Sequence, residues 1–120
     1  MPIERFHGSA QGRARAVRHD GLVYAVATAE NHRTDIAEQT RLTLANLDQS
    51  LALAGTDKSQ LLSATVYLTD MANKADMDVV WCQWIGAAEN WPQRACVGAD
   101  LAPGDMIEIV VTAVARETSA

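Results

Sequence analysis

The sequence predicts an α+β fold in which one mixed β-sheet carries two helices on one face. Two stretches show the apolar spacing of amphipathic helices, and short apolar or alternating stretches typical of strands surround them. Along the chain these elements follow the order β-β-β-α-β-α-β-β. The helix between the third and fourth strands has the length of a βαβ crossover, so these two strands are expected to run parallel. With 120 residues, 48% of them hydrophobic, the chain is predicted to form a single domain over residues 1–120.

Three strands are expected before the first helix. Residues 3–6 form an edge strand, and residues 14–18 and 22–28 form the next two. The turn between the second and third strands contains Asp20-Gly21, a strong hairpin signal because both positions of such a two-residue turn adopt a positive φ. Residues 22–27 are almost continuously apolar, which predicts a strand buried on both faces. A polar loop follows, in which His32 is expected to be solvated.

The first helix carries signals at both ends. Asp35 is its predicted N-cap, and Glu38 follows three residues later in the pattern of a capping box. The apolar stripe recurs at spacings of three or four and comprises Ile36, Leu44, Leu47, Leu51 and Ala54. Thr40 fills the remaining turn, and Gly55 stands where a C-cap belongs.

The fourth strand and the second helix follow. Residues 61–68 alternate, with Leu62, Ala64, Val66 and Leu68 on one side and Leu61, Ser63, Thr65 and Tyr67 on the other. The second helix is predicted from about residue 74 to residue 87, with a stripe traced by Met77, Val80, Trp81, Trp84 and Ala88. Its two tryptophans are expected to cover the sheet as part of the core.

The last two strands each carry one charge among small or apolar residues, on either side of a turn at residues 101–105. Period-two geometry places Arg94 and Cys96 on one face of the first strand, and it places Glu108 opposite the apolar face of the second. A buried carboxylate costs free energy unless it is paired, hydrogen-bonded or neutralised. Arg94 is therefore a candidate partner for Glu108, either in a structural ion pair or in a site. The face shared by Glu108 is otherwise mostly apolar, so a partner is expected to cover it, most simply a second copy of the chain.

Composition and charge exclude several classes of function. A formal charge of −5 disfavours nucleic-acid binding, which depends on neutralising phosphates. Near the start, Arg13, Arg15 and Arg18 form either a solvated strand edge or a basic mouth to an anion site. Apolar runs are too short to span a bilayer and the start lacks a signal-peptide pattern, so a cytoplasmic protein is expected, with no membrane partner.

The cysteines and histidines point away from metal, cofactor and covalent chemistry. Cys82 and Cys96 have no CxxC spacing, which is typical of reduced thiols. His7, His19 and His32 lie in no ligand or catalytic motif, so neither a metal site nor a cysteine nucleophile is expected. Glycine-rich phosphate loops are absent from the sequence, and no cofactor is predicted.

The C-terminal motifs resemble those of a known family. The run Pro92-Gln93-Arg94-Ala95-Cys96-Val97, the turn containing Pro103 and the strand start Ile107-Glu108-Ile109 resemble the signature of the reactive-intermediate (imine) deaminases, the Rid or YjgF-type family. Asp57-Lys58-Ser59 before a strand and Trp81-x-x-Trp84 in a helix resemble a short-chain branch of it. The resemblance implies a chorismate-mutase-like fold and a homotrimer whose sheets form a central barrel with clefts between neighbours.

The resemblance also implies a reaction and roles for its residues. Arg94 is expected to hold the carboxylate of a small 2-imino or 2-enamino acid, and Glu108 is expected to position a water that hydrolyses it to a 2-oxo acid and ammonia. The backbone at Cys96 is expected to contact the substrate amino group, and Trp91 is a candidate wall of the pocket.

The N-terminal motifs depart from the family. Where the family has Tyr-Ser-x-Ala and Ser-Gly-Gln, this chain has Arg13-Ala14-Arg15-Ala16 and Val26-Ala27-Thr28. Arg13 and Thr28 are the candidate substrate-binding residues at these positions. The departure leaves two alternatives open, namely a non-catalytic carboxylate-binding or regulatory trimer and an endoribonuclease, although the acidic charge argues against the latter.

Overall fold

The computed structural model describes residues 2–30 and 33–117, so His32 lies outside the described residues. The strands are β1 (Glu4–His7), β2 (Ala14–His19), β3 (Leu22–Ala27), β4 (Leu61–Leu68), β5 (Gln93–Gly98) and β6 (Ile107–Val114). The helices are α1 (Ile36–Leu53) and α2 (Lys74–Ile85), with short 3-10 turns at Lys58–Gln60, Met71–Asn73 and Ala88–Asn90. The predicted order of elements is confirmed.

The six strands form one mixed sheet in the order β1-β2-β3-β6-β4-β5. Only β4 and β5 are parallel neighbours, and the other pairs of the sheet are antiparallel. Strands β3 and β4 run in the same direction, as the crossover length predicts, with β6 between them. The α+β class with a single mixed sheet and two helices is therefore confirmed.

The last two strands are not neighbours. The short turn between them had favoured Arg94 as a partner of Glu108. Strand β4 lies between β5 and β6, and the connection at residues 99–106 passes over it. Arg94 pairs in register with Ala64 of β4, whereas Glu108 pairs with Tyr67. The two charges therefore lie on separate strands at different heights along β4.

Local turn chemistry sets the first hairpin as predicted. Asp20 and Gly21 have φ values of 51° and 81°, and His19 pairs directly with Leu22. The prediction for the third strand was wrong on one face, because Tyr24 is 47% exposed in the single chain while Val23 is fully buried.

Helix α1 is capped as its sequence predicts and holds the connection before β6. The Asp35 carboxylate accepts a hydrogen bond from the Glu38 N–H at 2.8 Å. Gln39, which the apolar stripe does not include, is buried and its side-chain amide binds two backbone groups of the connection. It donates to the Gly104 carbonyl at 2.9 Å and accepts from the Met106 N–H at 2.9 Å. Helix α1 therefore fixes the start of β6.

Strand β4 begins with an irregularity that changes which leucine is buried. The register with β6 shifts between Leu61 and Ser63, so the alternation starts one residue late. Leu61 is 7% exposed and Leu62 is 50% exposed, the reverse of the predicted sides. From Ala64 onward the burial alternates as predicted. A β-bulge of this kind is a backbone event that side-chain periodicity does not reveal.

The two helices leave the opposite face of the sheet uncovered in the single chain. The buried cluster joins α1 and α2 to the face of β6 that carries Ile107, Ile109 and Val111. The other face exposes large apolar side chains, which are Tyr24, Val97, Val110 and Val114. Among the described residues, no helix combines the length and the apolar character that crossing a bilayer requires.

Candidate functional site

Arg94 projects from the edge strand β5 onto helix α2. Its Nη2 donates to Oδ1 of Asp78 at 2.7 Å, and the Nζ of Lys74 donates to the other carboxylate oxygen, Oδ2, at 2.6 Å. The guanidinium carbon lies 5.2 Å from the centre of the Trp81 ring, within the range of a cation–π contact. We call these four residues the Arg94 cluster. The parallel pairing of β5 with β4 carries Arg94 to this position over α2.

The Arg94 cluster keeps a net positive charge. Burial acts to raise the pKa of Asp78, but hydrogen bonds from Lys74 and Arg94 outweigh it and hold that pKa below its ordinary value of 3.8. Asp78 is therefore ionised at neutral pH, and two cations share one anion. A guanidinium has five N–H donors and Asp78 takes one of them, so Arg94 keeps donors with which to bind a second carboxylate.

A surface cavity of about 310 Å³ lies beside the Arg94 cluster, and Trp91 forms part of its wall. Trp91 is 64% exposed, and its ring is held by a hydrogen bond of 3.0 Å from Nε1 to the Gly86 carbonyl. Trp81 and Pro92 also line the cavity. The structure thus brings Arg94 and Trp91, two of the residues singled out from the sequence, to one small cavity.

Cys96 lies on the same face of β5 as Arg94 and packs against the core. Burial raises the pKa of its thiol, although the positive charge of Arg94 acts in the opposite direction. The thiol is therefore protonated at neutral pH and is a poor nucleophile.

Glu108 lies on the opposite face of the sheet from Arg94. It is half-buried on the uncovered face, at the level of Tyr67, while Arg94 is level with Ala64 on the face that α2 covers. Two strand spacings across the sheet and three residues along it separate their Cα atoms by about 14 Å. The predicted ion pair between Arg94 and Glu108 is therefore wrong within a single chain. Strand β4 separates their strands, and Asp78 is the residue that pairs with Arg94.

A second cavity, of about 360 Å³, lies where β2, β3 and α1 meet, and it contains the two remaining candidates, Arg13 and Thr28. The Thr28 carbonyl accepts a hydrogen bond of 2.9 Å from the Asn46 side chain. Ala27 pairs with Ile109, so the register of β3 and β6 places Glu108 at the level of Thr28. In one chain, then, Arg13 and Thr28 line one cavity and Arg94 and Trp91 line another, while Glu108 and Cys96 line neither of the two.

Lys74 and Asp78 were not predicted as site residues from the sequence. Their spacing of four residues on a helix is the spacing of a side-chain ion pair, and it places them near Trp81. That spacing is also common on solvated helix faces, so it does not by itself identify a site. Only the position of β5 over α2 gives the pair its connection to Arg94.

Within residues 2–30 and 33–117, histidine, cysteine, aspartate and glutamate side chains form no group of three or more able to hold a metal ion. The charged groups available to a ligand in the two cavities are guanidinium and carboxylate groups with one ammonium nearby. Such groups bind anions and accept or donate protons.

Comparison with known proteins gives matches along almost the whole chain. Residues 9–115 match the model of the family described as endoribonuclease L-PSP. A RutC family protein of Haemophilus ducreyi is 40% identical over 97 residues, 79% of this chain and 82% of that protein. The RutC family protein YoaB of Escherichia coli is 37% identical over 114 residues, 94% of this chain and 98% of that protein. The crystal structure of a YjgF family member from Neisseria meningitidis matches with a TM-score of 0.89 and 41% identity, covering 98% of both chains.

Proposed function

This chain belongs to the family described as endoribonuclease L-PSP, with RutC and YjgF proteins as its relatives, and from that premise we propose that it is an imine deaminase. Its substrates are small 2-imino acids and their 2-enamino tautomers, and its products are 2-oxo acids and ammonia. It acts as a homotrimer in the cytoplasm and uses no metal or cofactor.

The observation that carries this proposal is the Arg94 cluster beside its cavity. Arg94 is held by Asp78 and by the Trp81 ring, so its guanidinium is oriented before a ligand arrives. A pre-oriented planar cation binds a carboxylate through two charge-assisted hydrogen bonds. The net positive charge of the Arg94 cluster favours an anion in this cavity of about 310 Å³. The α-carboxylate of a 2-imino acid is an anion of suitable size.

The proposed site needs two copies of the chain. Arg94 and Glu108 face opposite sides of one sheet, so a substrate that touches both must lie between Arg94 of one copy and Glu108 of its neighbour. The exposed apolar face that carries Tyr24, Val110 and Val114 supports such an assembly, because a single chain would leave it in water. A closed ring of three copies would cover this face and create three equivalent sites.

In the proposed reaction Glu108 is the general base. Its carboxylate accepts a proton from a water molecule as the water oxygen attacks C2 of the imine. The carbon–nitrogen π electrons move to nitrogen, which takes up a proton from solvent to become an amino group. Protonated Glu108 then gives its proton to this nitrogen, ammonia leaves with the C2–N electron pair, and the hydroxyl loses its proton to solvent as the C2–O bond becomes a carbonyl. Imines already hydrolyse in water, so positioning one water and one carboxylate supplies much of the required acceleration.

The other candidates complete the proposed site. The backbone at Cys96 contacts the substrate nitrogen, and Trp91 closes one side of the cavity. On the neighbouring copy, Thr28 lies at the level of Glu108, and its hydroxyl already accepts a hydrogen bond from the Glu30 N–H at 3.3 Å. Thr28 therefore contributes a hydroxyl in place of the serines that the family motifs carry in these strands.

The experiment generates imines with an amino-acid oxidase and measures 2-oxo acid and ammonia release above the uncatalysed rate. The wild-type protein should accelerate release, and Arg94→Ala should lower kcat/KM about 100-fold, because two charge-assisted hydrogen bonds are worth about 3 kcal/mol together. Arg41→Ala is the matched control, since Arg41 forms an ion pair with Glu38 on the exposed face of α1, away from both cavities of the candidate site. A wild-type protein without acceleration, or an Arg94→Ala protein with full activity, would overturn the proposal.

Two further measurements separate the alternatives. The altered residues at Arg13 and Val26 favour the non-catalytic reading, which predicts that pyruvate binds to the wild-type protein and not to Arg94→Ala, without any turnover of imine. The family description names an endoribonuclease activity, and RNA cleavage that persists in stringently purified Arg94→Ala protein would favour it. The formal charge of −5 disfavours this last reading.

A further inference from the structure

The cavity of about 360 Å³ contains a cation that the proposed reaction does not use. Arg13 and Arg15 both line it. The guanidinium of Arg15 is engaged with α1, since its Nε donates to the Ser50 hydroxyl at 2.8 Å and its Nη2 donates to the Asn46 carbonyl at 3.2 Å. Arg13 is exposed and takes part in none of the ion pairs among the described residues. Its guanidinium is therefore available to a ligand.

The surroundings of Arg13 define what it can bind. Two carboxylates, Glu30 and Asp105, line the same cavity. They balance the charges of the two arginines, so the lining has no net formal charge. Glu108 does not line this cavity, but its strand runs beside Thr28, which does. Because these lining charges balance, an anionic ligand group gains little here unless a guanidinium meets it directly. Among the described residues that line the cavity, Arg13 is the cation whose guanidinium is not engaged with α1. Arg13 thus favours an anion placed at one position rather than anions in general.

We propose that Arg13 selects imino acids that carry a second carboxylate at the end of the side chain. This inference rests on the proposed function, in which Arg94 of one copy holds the α-carboxylate and Glu108 of its neighbour faces C2. On that neighbour, Arg13 lines the same cavity as Thr28, beside the strand that carries Glu108, and receives the side-chain carboxylate. The preferred substrates are four- and five-carbon imino diacids, the oxidation products of acidic amino acids. The cavity volume of about 360 Å³ is within the range of small-molecule sites.

The test compares kcat/KM for imines made from aspartate or glutamate with that for imines made from alanine or 2-aminobutyrate. The wild-type protein should prefer the diacids, and Arg13→Met should lower kcat/KM for the diacids about 30-fold, the worth of one charge-assisted contact of about 2 kcal/mol. For the neutral imines, which carry no second carboxylate, Arg13→Met should lower kcat/KM far less, so the ratio of diacid to neutral kcat/KM is the readout. Arg41→Met, which removes a guanidinium from the exposed face of α1, should change neither value.

The outcomes distinguish the two proposals. If the protein accelerates neutral imines but Arg13→Met leaves the ratio of diacid to neutral kcat/KM unchanged, the selectivity inference is wrong and the deaminase function stands. If the protein accelerates no imine, the proposed function fails, and calorimetric binding then decides the role of Arg13. Tighter binding of 2-oxoglutarate than of 2-oxobutyrate, lost in Arg13→Met, would support a diacid site, and equal binding of the two would overturn it.

Discussion

Because Arg94 and Glu108 lie on opposite faces of one sheet, inactive variants should restore each other's activity in mixed assemblies. Arg94→Ala and Glu108→Gln each remove one half of the proposed site. A chain with Arg94→Ala still supplies Glu108, and a chain with Glu108→Gln still supplies Arg94. If each site takes one group from each of two copies, some interfaces of a mixed ring have both groups intact.

The recovered activity follows from the geometry. In an equal random mixture, half of the chains carry an intact Arg94 and half carry an intact Glu108. The chance that an interface joins the two intact groups in the required direction is one half times one half, so an unselected mixture should show about one quarter of the wild-type activity per interface. A ring of three that contains both variants has one such interface out of three, whichever variant is in the majority, so the isolated hetero-oligomers should show about one third.

The assay co-expresses the two variants with different affinity tags and isolates hetero-oligomers by two successive purifications. Imine hydrolysis is then compared with that of each variant alone, and with a doubly tagged assembly in which both chains carry Arg94→Ala. Hetero-oligomers that form but remain as inactive as the separate variants would refute the reasoning, because they would mean that no site is shared between copies.

Three further predictions concern assembly and stability. Val110→Asp, on the uncovered face, should reduce the oligomer to the mass of one chain in light scattering, whereas Val79→Asp on the exposed face of α2 should not; an unchanged mass for Val110→Asp would contradict assembly through this face. Leu47→Ala should lower the free energy of unfolding in urea by about 3 kcal/mol, since Leu47 is fully buried between α1 and the sheet, and a loss below about 1 kcal/mol would contradict this packing. The hydrogen bond from Arg116 lowers the pKa of Asp57 from 3.8 to about 2. Ionised Asp57 therefore stabilises the folded state fully above pH 4, and this contribution is lost as the pH falls towards 2. The difference in unfolding free energy between wild type and Asp57→Asn should shrink over that range, and a constant difference would exclude this ion pair as its source.

The elements of this fold follow from local chemistry that the sequence displays. Asp20-Gly21 supplies the positive φ values of the hairpin, and Asp35 supplies the oxygen that caps α1. These features depend on residues a few positions apart, and propensity and spacing therefore predict them. The order of the strands depends instead on pairing between distant segments. Successive strands are neighbours in most sheets, and β5 and β6 depart from that rule because the connection at residues 99–106 passes over β4.

The candidate site, like the fold, was predictable from the sequence only in part. The charges at Arg94 and Glu108 were evident from the sequence because they interrupt apolar strands. Their placement on opposite faces was not, since it depends on the insertion of β4 between their strands. Asp78 was missed for a related reason, because its contact with Arg94 joins a helix to a strand 16 residues away along the chain. Side-chain pairs of this kind depend on how the helices pack on the sheet. Residue spacing within one element carries no information about that packing.

The buried amide of Gln39 also protects the orientation of Glu108. In a β-strand, a slip of one residue exchanges the two faces, so β6 displaced by one position would bury the glutamate against the helices and expose isoleucines. Gln39 opposes such a slip, because its amide fits the Gly104 carbonyl and the Met106 N–H only at one alignment of the chain. A residue that lines neither cavity of the candidate site therefore determines which face of the sheet carries the glutamate.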